Sequence, residues 1–149
     1  MVSVDGVKIG QTKNCVRKIL GEPHKRESDD DLDCWKYQGL YGIPVRPLLS
    51  GFYSDNDRYL RVLFREGLCV SVWGGSLYFK DKMIAQAGTT LYLCEALLGE
   101  PHKRNGGSLL EFAEWDLASH RLQIAKKGMV LYVEVEDLIW RSSFRMNLR

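Results

Sequence analysis

Leu20-Gly21-Glu22-Pro23-His24-Lys25-Arg26 returns, unchanged, as Leu98-Gly99-Glu100-Pro101-His102-Lys103-Arg104, 78 residues further along a chain of 149. The register holds upstream, where Gly10 falls on Gly88, Thr12 on Thr90, Val16 on Cys94 and Ile19 on Leu97. Seven identities at one offset with matched flanks mark an internal duplication. Much of the repeated string is a helix stop. Gly21 and Gly99 suit the left-handed residue that ends a helix, and Pro23 and Pro101 forbid its continuation. At the other end, Thr12 and Thr90 (or Thr89) are N-caps, because a threonine hydroxyl accepts from a free first-turn amide. Between cap and stop, Cys15, Val16, Ile19 and Leu20 share one face, as do Leu93, Cys94, Leu97 and Leu98.

Downstream, the apolar period changes from helical to two. In the first copy a strand begins at Cys34-Trp35-Lys36-Tyr37, and Arg58–Phe64 and Leu68–Trp73 flank a turn containing Gly67. Phe112–Leu117, Arg121–Ile124 and Met129–Val135 follow the same order in the second copy, with a turn at Gly128 expected to be one residue longer. Leu60, Val62 and Phe64 fall on one side, joined by Val70 and Val72; Leu122, Ile124, Leu131, Val133 and Val135 repeat the pattern. One-sided apolar faces imply antiparallel strands with a single buried side. The expected fold is α+β: two tandem modules, each a short helix or helix pair on an antiparallel sheet, with the other sheet face open. Module one spans 1–78 and module two 79–149, the latter ending in a C-terminal tail. With Trp35 set against Trp115, the first copy carries an excess at about 39–57 that includes Pro44, Pro47 and Tyr53, a candidate contact element.

Bulk composition narrows the function classes. Hydrophobic residues are 45% and charged residues 27%, the profile of a folded globular chain. A net charge of +2 does not argue for nucleic acid. No apolar run reaches the length of a membrane span, and Met1–Gly6 lacks a basic start and an apolar signal core, so a cytoplasmic address is expected. Cys15, Cys34, Cys69 and Cys94 form no C-x-x-C pair and read as small core residues rather than zinc ligands.

The order G-x-T-x-x-x-V-x-x-x-L-G-x-P, then W-x-Y, then a hairpin with F-x-x-G-x-x-V resembles the module of the β-lactamase inhibitory protein family. It is carried by Gly10, Thr12, Val16, Leu20, Gly21, Pro23, Trp35, Tyr37, Phe64, Gly67 and Val70. The small lipoprotein of the outer-membrane barrel-assembly machinery is built from the same module, and the opening Asp5–Thr12 also looks like bacterial toxin-immunity proteins. The inhibitory protein is secreted and disulfide-linked, whereas these cysteines are not paired by spacing. The resemblance implies helices on one sheet face and a binding surface on the other.

Alternation places Tyr59, Arg61, Ser71, Trp73, Tyr132, Glu134 and Glu136 on that open face, with Tyr53 from the insert beside them. Trp35 and Tyr37 share a face, and Trp35 and Trp115 are expected in the core. His24 and His102 are duplicated, but they follow a helix stop in a polar segment where solvated loop residues are expected. The acidic run Glu27–Asp33 has aspartates spaced like the start of a calcium loop, but Cys34 and Leu40 stand where glycine and glutamate are required. It is expected to be a solvated loop. Positive charge gathers at Lys126-Lys127 and in a tail with Trp140, Arg141, Phe144, Arg145 and Arg149; contact with RNA is one reading of the tail, and a surface helix or edge cover is the one expected. No nucleophile elbow, phosphate loop or metal motif is present in the sequence. The expected function is therefore protein binding without catalysis or cofactor, as a cytoplasmic immunity protein that neutralises a toxin domain. The alternatives are an assembly or scaffold factor of the lipoprotein type, and a small enzyme using His24 or His102.

Overall fold

The computed structural model describes residues 2–29, 31–38, 59–86, 92–106, 111–117, 120–127 and 129–137. The insert at about 39–57, the cap candidates Thr89 and Thr90, and the tail beyond residue 137 lie outside them. In chain order the elements are β1 (Val2–Val4), α1 (Lys13–Leu20), β2 (Lys25–Asp29), β3 (Leu32–Gln38), β4 (Tyr59–Arg65), β5 (Leu68–Gly74), β6 (Ser76–Phe79) and β7 (Lys82–Gln86). They continue with α2 (Tyr92–Leu98), β8 (Lys103–Gly106), β9 (Glu111–Leu117), β10 (His120–Lys127) and β11 (Met129–Asp137). The chain is α+β and mostly antiparallel sheet. Eight strands form one sheet in the order β2-β3-β4-β5-β11-β10-β9-β8, and β1-β6-β7 form a second. Where the halves meet, β5 and β11 run antiparallel, with Val72 opposite Val135 and Ser71 opposite Glu136. Strand order and direction are therefore unchanged by a half-turn about the β5–β11 seam.

The helix stops behave as the sequence dictates. Thr12 Oγ1 accepts from Cys15 N–H at 3.2 Å, and Gly21 and Gly99 have φ of 82° and 81°, a region that penalises any side chain. Both glycine amides donate back into their helices, to Arg17 and Glu95 carbonyls at 2.8 and 2.9 Å. Val16 and Cys94, 78 residues apart, are both fully buried. The carbonyl that each stop leaves over is then taken by a strand side chain: Tyr37 OH donates to Gly21 O at 2.9 Å, and Trp115 Nε1 donates to Gly99 O at 3.0 Å. His24 N–H and His102 N–H bond Lys36 O and Glu114 O at 2.9 and 2.8 Å. These bonds put Trp115 in the place of Tyr37, and Ala113 in that of Trp35. The pairing of Trp35 with Trp115 expected from sequence is off by two residues, because the tryptophan of the second strand makes the bond that a tyrosine makes in the first.

Other expectations also shift. Both long hairpins carry a bulge at the same point, between Leu63 and Phe64 and between Ala125 and Lys126. Phe64 pairs with Cys69, which leaves Val70 as the unpaired residue; Val70 is still buried, and Cys69 joins Val62 and Val72 in the core cluster. Leu131 is likewise left unpaired, between Val130 and Tyr132. Lys127 opposite Met129 closes the second hairpin one residue shorter than Arg65 opposite Leu68, not longer. The Glu-Pro-His-Lys-Arg segments and the acidic run Glu27–Asp33, expected to be solvated loops, instead run into strands at the two edges of the large sheet, Lys25–Asp29 and Lys103–Gly106. An edge strand has one unpaired side, and a polar one shows no apolar alternation to find.

The β1-β6-β7 sheet was not foreseen. It lies on the core side of the large sheet, burying Val2, Val4, Leu77, Ile84 and Ala85 in the same cluster as Val72, Val133 and Val135. Contact there is close: a Cβ on Gly74 would stand 2.6 Å from Asp5 Oδ2 and 2.8 Å from Val4 Cγ1. Gly75 N–H donates to the same Asp5 carboxylate at 3.3 Å. Burial raises the Asp5 pKa, and bonds from Gly75 and Ser76 partly oppose the shift.

Gly74→Ala should therefore destabilise the protein by about 1–3 kcal/mol through overpacking, read as a lower denaturant midpoint. Tyr37→Phe should cost about 1 kcal/mol at neutral pH for the lost bond to Gly21. Burial also pushes the Tyr37 phenol up to about 12. A raised folded pKa contributes stability that is complete below the ordinary value of 10 and is lost as pH climbs towards 12. The Phe variant should lack that part of the alkaline loss, as measured by urea unfolding at pH 7 and pH 11.

Candidate protein-binding face

The side of the large sheet opposite the core carries a ladder of residues in register. From one edge, Lys25 faces Lys36, Lys36 faces Arg61, and Arg61 faces Trp73. Across the seam Trp73 faces Glu134, then Glu134 faces Gln123, Gln123 faces Glu114, and Glu114 faces Lys103. One continuous row thus crosses all eight strands. A second row runs through Glu27, Cys34, Leu63 and Ser71 to Glu136, Arg121 and Asp116.

Beside the seam, the Arg61 guanidinium stacks over the Trp73 ring at 4.5 Å from its centroid, a contact of about 0.5–2 kcal/mol that also holds both planes still. Lys36 Nζ reaches Glu27 at 3.0 Å. In the other half, Gln123 Nε2 donates to Glu114 at 3.2 Å and Arg121 pairs with Asp116 at 3.1 Å.

Of the residues expected on this face, Arg61, Trp73 and Glu134 are half-buried, leaving part of each accessible. Ser71 and Glu136 keep their place on it but are buried, each 4% exposed, so neither is an accessible contact. Ser71 is short and sits between Leu63 and Glu136; Glu136 is flanked by Ser71 and Arg121. Tyr59 and Tyr132 occupy the register positions opposite Gln38 and Ala125. Tyr53 lies outside the described residues. The row members Lys25, Lys103, Lys36, Gln123 and Glu114 were not foreseen; the two-residue periods through Trp35, through Leu122 and Ile124, and through Trp115 could have found the last three.

The remaining candidates have structural work. Trp35 and Tyr37 share the core face, as Trp115 does. Trp35 meets Phe64 edge to face at 4.8 Å, and Arg17 and Arg26 lie over its ring at 4.8 and 5.6 Å. Glu22 pairs with both guanidinium groups. His102 Nδ1 accepts the Asp116 N–H at 2.8 Å, which ties the edge to β9. The acidic run is answered within the chain. Asp31 pairs with Arg65 at 3.0 Å, and bonds from Lys13 and Ser28 lower the Asp33 pKa. Burial pushes the Cys69 and Cys94 thiols up to about 12 and raises Cys34, which suppresses their thiolate forms at neutral pH. Among the described residues, no group of three His, Cys, Asp or Glu side chains is placed to hold a metal, and no helix is long and apolar enough to cross a membrane.

No protein-family model matches the chain, and no curated protein does. Among solved structures it is similar to an extracellular protein containing an SCP domain from Bacillus anthracis (11% identity, TM-score 0.54), covering 87% of this chain and 44% of that one. A cysteine-rich secretory protein from Staphylococcus aureus matches at 10% identity and TM-score 0.53, over 87% and 43% of the two chains. A DUF4309 family protein from Bacillus subtilis aligns at 12% identity and TM-score 0.49, over 89% and 82%. The chain spans less than half the length of the first two. At such identities the likeness is one of fold.

Proposed function

We propose that this chain is a non-enzymatic binding protein, built from two diverged copies of a helix-plus-sheet module, that seats a protein partner on the face centred on Trp73. The arginine-stacked tryptophan at the middle of a charged row that spans the sheet carries this reading. A large ring held rigid by a cation, with polar groups around it, is the composition of an interface anchor. The mirrored strand order, the matching glycine-carbonyl bonds and the matching bulges support the two-module reading. As a specific role, the chain acts as an immunity protein in the cytoplasm and occludes the active site of a toxin domain.

The test is affinity capture from the native host, followed by purification of the dominant partner and titration against wild type and Trp73→Ala. A loss of at least tenfold in affinity is expected for the variant, with inhibition of the partner's enzymatic activity by the wild type. A dominant partner that binds both equally would move the interface off this face. A bound partner whose activity is untouched would end the immunity role while leaving the binding role standing.

A further inference from the structure

One groove distinguishes the two halves. It runs between α1 and the edge strand β2 on the core side of the sheet, with Trp35 of β3 as its floor. Arg26 lies directly opposite Trp35 in the β2–β3 ladder, and its guanidinium stands 5.6 Å from the centre of the indole ring. Arg17, from the last turn of α1, stands at 4.8 Å, and Lys13, one turn earlier, at 5.8 Å. Stacking uses the face of a guanidinium and leaves its N–H edge to bind. Here both edges converge on a single carboxylate: one oxygen of Glu22 accepts from Arg17 Nε at 3.0 Å, and the other from Arg26. Arg17 Nη1 also donates to Asn14 at 2.9 Å, and Lys13 pairs with Asp33. Two guanidinium groups set on one ring and sharing one anion make a phosphoryl-type clamp, which the chain fills from within. The fold does not need it. At the positions 78 residues on, Glu95 replaces Arg17 and Ala113 replaces Trp35, while Leu-Gly-Glu-Pro-His-Lys-Arg is unchanged. The second helix keeps its bond to the sheet without stack or clamp.

We propose that the Arg17–Arg26 clamp is a binding site for a phosphoryl dianion, with Glu22 as its built-in and displaceable occupant. Charge selects the ligand. With Glu22 in place, three cations (Lys13, Arg17, Arg26) meet two carboxylates (Glu22, Asp33), a net of +1. With Glu22 swung out the net is +2, which matches the charge of about −2 on a phosphoryl group at neutral pH. An external carboxylate replaces Glu22 only like for like and loses, because a tethered group competes at an effective concentration on the order of millimolar. A dianion brings a second charge and wins. Glu22 is free to leave: its side chain is 62% exposed, those of Arg17 and Arg26 are 36% and 55% exposed, and ion pairs so open to water are weak. The floor of the site belongs to the core face, so the clamp is separate from the Trp73 surface and independent of the binding role proposed for it. The phosphoryl group could be carried by a phosphorylated polypeptide or by a small phosphate compound.

The test is an NMR titration of the full chain at pH 7.5, following the side-chain N–H signals of Arg17, Arg26 and Trp35 as inorganic phosphate, a phosphoserine peptide or acetate is added. Inorganic phosphate should shift these signals saturably, with a Kd on the order of millimolar, and acetate should not. Glu22→Ala, which vacates the clamp, should bind phosphate at least tenfold more tightly. Arg17→Glu installs the pairing seen between Glu95 and Arg104, and should abolish binding while leaving the rest of the spectrum in place. Within that outcome, a peptide at least tenfold tighter than phosphate identifies a phosphorylated polypeptide as the source, and equal affinities identify a small phosphate compound. No saturable shift in Glu22→Ala at about 50 mM phosphate overturns the site, as does unchanged binding in Arg17→Glu. Binding seen in Glu22→Ala alone overturns the displaceable role of Glu22. Acetate that binds as tightly as phosphate overturns the phosphoryl assignment.

Discussion

The antiparallel pairing of β5 with β11 is the constraint on which the architecture depends. Either half alone offers four strands with a row of unsatisfied backbone groups along one side, a structure that invites association. The seam satisfies those groups and converts two short sheets into one of eight strands. It also completes the core, since Val72 and Val135 meet across it and the β1-β6-β7 sheet lies over the same region. Gly74 stands at this junction, and its missing side chain is what lets Asp5 and Val4 approach.

The two halves use one joint to hold helix to sheet, and differ in how they surround it. In each, a glycine ends the helix and its carbonyl accepts from an aromatic side chain on the following strand, a phenol in one and an indole in the other. Two residues before that aromatic, the first half has Trp35, packed on Phe64 and roofed by two arginines that share Glu22. The second has Ala113 there, and Glu95 in the position of Arg17 pairs directly with Arg104 at 3.3 Å. An aromatic-cation stack and a simple ion pair thus fill the same location. The joint is common to both halves because the backbone needs it; the surroundings are free to differ.

What the sequence disclosed, and what it hid, follows from the range of the interactions involved. Helix ends were legible because glycine and proline act locally on the backbone. The strands β3 to β5 and β9 to β11 were legible because one buried face imposes a period of two. β2 and β8 were not, since a charged edge strand such as Lys-Arg-Glu-Ser-Asp has no apolar face to alternate. β1 was hidden for another reason: it is three residues long and pairs Val2 with Phe79, far along the chain. On the candidate face, alternation correctly assigned Arg61, Trp73 and Glu134 to the side away from the core. It could not show that Ser71 and Glu136 would be buried, because that depends on which residues lie beside them on neighbouring strands. The bulges were invisible for the same reason, and one of them brought Cys69 into the core cluster.

The two sides of each four-stranded half are opposite in character. One, β5 or β11, is adhesive and is consumed by the seam; the other, β2 or β8, begins with the same Lys-Arg pair and is polar along its length. A unit with one joining side and one refusing side can combine with a single other unit and no more. Assembly by sheet extension therefore terminates at two, and the sheet stays finite. The residues that immediately follow each helix stop are thus also what limits the growth of the sheet.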